Sequence, residues 1–255
     1  MLNVTINGEA GPHPPVILAH GLFGSGRNLG GLARRLAVSR QVISVDMRNH
    51  GESFHDDDHS YAALGADLAA VIREYGGRAD LVGHSMGGKA AMVMALNEPD
   101  LLRRLAVLDI APVGYGHSQR ELISAMRSIE LSACKLRSDA DRQLARRVDD
   151  PSIRAFLLQS LDLKADPPAW KLNLDVLDAQ MDRLVGWPED LPKARFEGPA
   201  LFLAGADSDY VSDQGREAIR DYFPQAQIRE IEGAGHWLHA DKPVETGEIL
   251  AEFLA

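Results

Sequence analysis

The residues best suited to chemistry cluster around one serine. Ser85 lies in Gly83-His84-Ser85-Met86-Gly87, a G-x-S-x-G pentapeptide between an apolar run and a helix-forming run. A serine on a tight strand-to-helix turn is held in a strained backbone conformation with its hydroxyl exposed. The glycines are needed because strand and helix approach too closely there for side chains. Ser85 is therefore the candidate nucleophile. A serine hydroxyl is weak by itself: it needs a general base, an acid that orients the base, and N–H donors for an oxyanion.

For a chain order Ser, Asp, His, the base lies C-terminal to Ser85. His236, in Gly233-Ala234-Gly235-His236-Trp237 just after the last predicted strand, meets that condition; His239 is the nearest rival and His117 the next. One oxyanion donor is the N–H of Met86, at a helix N-terminus where the dipole assists. The other is expected from His20-Gly21-Leu22-Phe23-Gly24, with Leu22 the first choice and Phe23 the fallback. Asp109 ends an apolar run and lies between Ser85 and His236 in the chain. An ionised carboxylate there is costly without a partner, and an imidazolium is such a partner. Asp207 and Asp209, after the run 200–204, are the alternatives, and Ser208 between them is placed to hydrogen-bond Asp109 or His236. The polar loop 46–53 reads as architecture, with Asp46 and His50 structural. His20, His50, His84 and His236 share no compact metal-ligand spacing, and no phosphate-cradling glycine motif occurs. The expectation is no metal and no cofactor.

These residues need elements to position them. Near-continuous apolar runs at 16–19, 42–45, 81–82, 105–108 and 200–204 read as strands buried on both faces, as a parallel sheet under helices requires. The run 228–231 reads as a partly exposed strand and 2–6 as an edge strand. Helices are predicted over 29–37, 60–75 with Ser60 as N-cap, 86–97, 212–222 and 243–254. This alternation predicts a doubly wound, mostly parallel sheet of about seven strands. Residues 112–198 break the rhythm with charged, helix-forming stretches, in which Leu122, Ile123, Met126 and Ile129 share one face, as do Ile153, Phe156, Leu157 and Leu161. They read as a helical lid inserted in a core of 1–111 and 199–255, divided by turns at 166–168 and 186–188. Trp237 and Phe23 are expected near an apolar pocket beneath it.

A chain of 255 residues with 45% hydrophobic residues suits one large α/β domain with an insertion. A net charge of -10 argues against a nucleic-acid partner. The single cysteine, Cys134, excludes an intrachain disulfide and reads as a buried apolar group. No secretory signal is visible, and no apolar run approaches a bilayer span. A soluble, cytoplasmic protein without membrane insertion is expected.

Taken together, His20-Gly-Leu-Phe-Gly24, Asp46-x-Arg48-x-His50-Gly-x-Ser53, Gly83-His-Ser-Met-Gly-Gly-Lys89, Asp109-Ile-Ala-Pro112 and Gly235-His-Trp237 resemble the α/β-hydrolase fold, and within it small bacterial YbfF-type esterases. The likeness runs from about residue 16 to 254. By this resemblance the acid's usual place is three residues beyond Gly205, where Ser208 stands. In the YbfF-type subgroup the acid sits instead on the earlier strand, which implies Asp109 supported by Ser208. The resemblance further implies hydrolysis of short- to medium-chain acyl esters, and of thioesters, with water and without a cofactor. The same fold hosts lyases, perhydrolases and ligand-binding receptors. Epoxide hydrolases and haloalkane dehalogenases of this fold use aspartate where Ser85 stands.

Overall fold

The structure, a computed structural model, describes residues 1–189, 191 and 194–255. Asp190, Pro192 and Lys193, inside the expected insertion, lie outside the described residues. The first half alternates as its apolar runs require: β1 (Val4–Asn7), β2 (Val16–Ala19), α1 (Gly30–Leu36), β3 (Val42–Val45), α2 (Tyr61–Glu74), β4 (Ala79–His84), α3 (Met86–Asn97) and β5 (Leu102–Leu108). Helices α4 (Arg120–Arg127), α5 (Arg137–Leu144) and α6 (Pro151–Leu157) follow. A two-strand hairpin comes next, β6 (Leu161–Asp162) with β7 (Ala169–Trp170), then α7 (Leu174–Ala179) and α8 (Met181–Val185). The chain closes with β8 (Ala200–Gly205), α9 (Asp213–Tyr222), β9 (Ala226–Ile231), α10 (Leu238–Asp241) and α11 (Pro243–Leu254).

Among the described residues seven strands form one sheet in the order β1-β3-β2-β4-β5-β8-β9. All neighbouring pairs are parallel except β1 with β3, so β1 is antiparallel, at the edge position its alternating sequence predicts. Side chains along each buried strand alternate between two cores. Val16 and Leu18 join Leu32, Leu36, Leu250 and Leu254 on one face, while Ile17 and Ala19 join Leu64, Leu68 and Val93 on the other.

Three strands begin earlier than their apolar runs: β9 at Ala226, and β4 and β5 where charge enters the sheet. β4 includes Asp80, which is fully buried and paired with Arg40 at 2.6 Å and Arg103 at 2.5 Å. The ion cluster hides a charge inside a buried strand, so hydrophobicity alone places the start too late. β5 starts at Leu102; its Arg103 belongs to the same ion cluster, while Arg104 donates to the Ala255 carbonyl. Ser60 caps α2 through Ala63 N–H at 3.3 Å, and Ser212 caps α9 through Gly215 N–H at 3.2 Å.

Candidate active site

Ser85 sits between β4 and α3 with φ 51° and ψ -118°, a backbone conformation disfavoured for a residue with a side chain. The turn is tight enough to dictate its neighbours. A Cβ on Gly83 would lie 2.3 Å from the Gly87 carbonyl oxygen, and one on Gly87 would lie 2.5 Å from the carbonyl oxygens of both Ala19 and His20. The strain is sustained because β4 is central and α3 is buried from Met86 to Leu96. Ser85 N–H is tied to the Leu108 carbonyl at 3.1 Å, and Ser85 O accepts from Lys89 N–H at 2.9 Å.

The structure brings Ser85, His236 and Asp109 into one chain of hydrogen bonds. His236 Nε2 lies 3.0 Å from Ser85 Oγ, and its Nδ1 lies 2.7 Å from Asp109 Oδ2. The Nδ1–H donates to the carboxylate, which leaves Nε2 free to accept the serine proton. Asp109 is fully buried at the end of β5, again with a positive φ of 51°. Its charge is distributed over three donors: His236, Gly205 N–H on Oδ1 at 2.9 Å, and Ser208 Oγ on Oδ2 at 2.5 Å. Asp207 and Asp209 are exposed, and neither side chain bonds His236.

Leu22 and Met86 both line the cavity above Ser85. Neither N–H has a hydrogen-bond partner among the described residues. The loop carrying Leu22 lies against Ser85: a Cβ on Gly21 would stand 3.2 Å from Ser85 Cβ. Phe23 N–H is engaged, because it donates to His50 Nε2 at 3.2 Å. That removes the fallback donor. Two buried neutral histidines shape this loop. His50 donates from Nδ1 to the Arg48 carbonyl, and His20 donates from Nδ1 to the Gly21 carbonyl while its Nε2 accepts from Met47 N–H. Burial holds both imidazoles below their ordinary pKa, as an accepting nitrogen requires. Asp46 has the architectural role expected of it, accepting from Gly26 N–H, Asn3 Nδ2 and Glu52 N–H.

The rival histidines are placed elsewhere. His239 packs edge-on against His84 with ring centroids 4.7 Å apart and makes no bond to Ser85; burial pushes its pKa down to about 4. His117 reaches the Tyr210 hydroxyl at 2.8 Å. Three further contributors have no expected role: His84 and Lys89 lie in the serine motif itself, and only Tyr210 lies outside every motif. Burial keeps His84 neutral, and its Nε2–H donates to the His236 carbonyl at 2.9 Å, fixing the loop of the candidate base. Tyr210 stacks on the His236 ring. Lys89, one turn along α3 from Ser85, is 1% exposed and donates to the carbonyls of Val185 at 3.0 Å and of Gly186. Its ammonium lies 4.7 Å from the Tyr115 ring centre and 5.6 Å from that of Tyr61, and burial pushes its pKa down to about 7.

Above Ser85 lies a cavity of about 280 Å³. Ile153 and Phe156 from α6, Met181 and Leu184 from α8, and Leu122 from α4 close it over Phe23 and Trp237. Phe156 and Trp237 pack with ring centroids 5.5 Å apart. The cavity is apolar, with Ser85, His236 and the N–H groups of Leu22 and Met86 converging at one end. Among the described residues no helix is long and apolar enough to cross a membrane.

Residues 14–243 match the family described as the alpha/beta hydrolase fold, and the chain belongs to that family. Within it the chain is of esterase or lipase type, related to YbfF. It is 40% identical to esterase YbfF of Escherichia coli strain K12, over 90% of this chain and 88% of that protein. It is 41% identical to the sn-1-specific diacylglycerol lipase ABHD11 of Mus musculus, over 95% of this chain and 81% of that one. A solved marine microorganism esterase superposes with a TM-score of 0.93 at 37% identity, over 99% of this chain and 98% of that one.

Proposed function

We propose that the protein is a serine carboxylesterase that hydrolyses short- to medium-chain acyl esters, and the corresponding thioesters, through an acyl-enzyme. Ser85 Oγ attacks the ester carbonyl carbon as His236 Nε2 takes its proton. Asp109 holds the imidazole in the required tautomer and stabilises the imidazolium. The Leu22 and Met86 N–H groups receive the oxyanion. His236 then protonates the departing alcohol or thiol. Water, deprotonated by the same nitrogen, attacks the acyl-enzyme, releasing the carboxylic acid and restoring Ser85. Residues 112–198 act as the lid that shapes the acyl pocket. No cofactor or metal enters this scheme.

The observation that carries the reading is the 3.0 Å and 2.7 Å hydrogen-bond chain from Ser85 through His236 to Asp109, at one end of an apolar cavity. A volume of about 280 Å³ is at the small end of ligand pockets, which run roughly 300–1,000 Å³. That size supports a preference for modest acyl groups. A fluorophosphonate is expected to label Ser85 covalently, and p-nitrophenyl esters are expected to give a rate that peaks at short to medium chains. An unlabelled Ser85, or a flat profile near the background rate, would refute the proposal.

A further inference from the structure

Tyr210 follows β8 in the turn that also carries Ser208. Its ring lies parallel to that of His236, with centroids 4.0 Å apart and planes at 20°. The ring is held at both ends. Its hydroxyl meets His117 Nε2 at 2.8 Å, and its backbone carbonyl accepts from the Tyr115 hydroxyl at 2.8 Å. The Tyr115 ring flanks it at 5.1 Å. Tyr210 N–H points to Ser208 Oγ at 3.4 Å, the hydroxyl that donates to Asp109. The stack is therefore anchored by residues that follow β5 and by the turn that holds the buried carboxylate.

We propose that Tyr210 is a positioning residue for His236, whose ring face fixes the plane of the imidazole and favours its protonated form. The inference rests on the reading of His236 as the general base. An aromatic face attracts a cation through its quadrupole, and the attraction strengthens where water is excluded. A neutral imidazole gains only ordinary stacking from the same geometry. The contact is thus stronger once His236 has taken the serine proton, which is the condition for lowering a barrier. Burial raises the Tyr210 phenol above its ordinary range, so the ring stays neutral. The other groups facing His236 are Asp109 on Nδ1, the buried neutral His84 at 4.8 Å with His239 behind it, and Trp237 at 6.2 Å. Asp241 holds the preceding Gly235 N–H at 2.9 Å. None of these groups hydrogen-bonds the Tyr210 side chain, whose hydroxyl meets His117.

The test compares Tyr210→Leu, Tyr210→Phe and Tyr210→Trp. The leucine variant keeps bulk and loses the aromatic face. Its acid-side apparent pKa in kcat/KM is expected to fall by about 0.5 to 1, with kcat down roughly three- to tenfold and KM within about twofold. The phenylalanine variant loses only the bond to His117 and is expected to keep the parent profile; the tryptophan variant is expected to lie at or above it. A leucine variant with parental pKa and kcat would overturn the proposal, as would a phenylalanine variant that falls as far as leucine. If the leucine variant does not fold, a tryptophan variant with its acid-side pKa below that of phenylalanine overturns it equally. NMR titration of the His236 ring in a Ser85→Ala background reads the same displacement without turnover. Retained activity in His236→Ala would instead refute the general-base reading and leave that titration intact.

Discussion

At Asp109 a single carboxylate serves three donors in a site with no access to water. Such a charge is tolerated only while each partner is in place. An Asp109→Asn variant keeps the shape but presents the wrong hydrogen-bond pattern to His236 Nδ1. A loss on the order of 10⁴ in kcat is expected, measured by p-nitrophenyl ester hydrolysis. Ser208→Ala removes one bond to the carboxylate and is expected to cost roughly tenfold. Asp207→Asn, at an exposed position, is expected to change nothing. The residue types and their order around Ser85 are legible in the sequence because the chemistry demands them. Of the partners that hold them, Ser208 is legible and the others are not. His84 and Tyr210 meet His236 through a carbonyl bond and a ring stack with partners 152 and 26 positions away, and neither contact leaves a periodic or compositional trace.

At the scale of elements, the β4-to-α3 turn depends on two glycines for the approach of backbone to backbone. A Gly87→Ala variant would place its methyl carbon 2.5 Å from two carbonyl oxygens of the β2 loop. The sheet has no slack to yield there, so a destabilisation of roughly 3 kcal/mol or more is expected, read as a lower urea midpoint. The same displacement would shift the Leu22 loop. The strands and long helices were readable from sequence because each buries a continuous face. Their first residues were not, wherever an internal ion pair such as Asp80 with Arg40 and Arg103 supplies charge to a buried position. The hairpin of β6 and β7 shows in the sequence only as its turn at 166–168, because two residues per strand are too few to show alternation.

For the molecule as a whole, Lys89 joins the body to the segment above it. Its ammonium is removed from water and sits among carbonyls and rings, with no carboxylate partner among the described residues. Its pKa falls from an ordinary 10.5 to about 7 in the folded chain. Between those values the unfolded chain holds a proton that the folded chain has released. Stability from this group therefore rises with pH across that window, by up to about 1.4 kcal/mol per pH unit. Below pH 7 the burial penalty is fully present. A Lys89→Met variant is expected to lose this rise, which urea unfolding of both proteins from pH 7 to 10 measures. Opposite behaviour, with the variant gaining a steeper rise, would show that the carbonyls hold the charge in place.

β5 and β8 are neighbours in the sheet. They run parallel, so the chain leaves the sheet at the top of one strand and must return at the bottom of the next. A six-residue strand is about 20 Å long, and a connection between parallel neighbours needs a dozen residues or more. The helices over the cavity are therefore an enlarged version of a link the sheet cannot do without. They can be shortened or exchanged, but cutting them away and splicing the two strands together would sever the sheet itself.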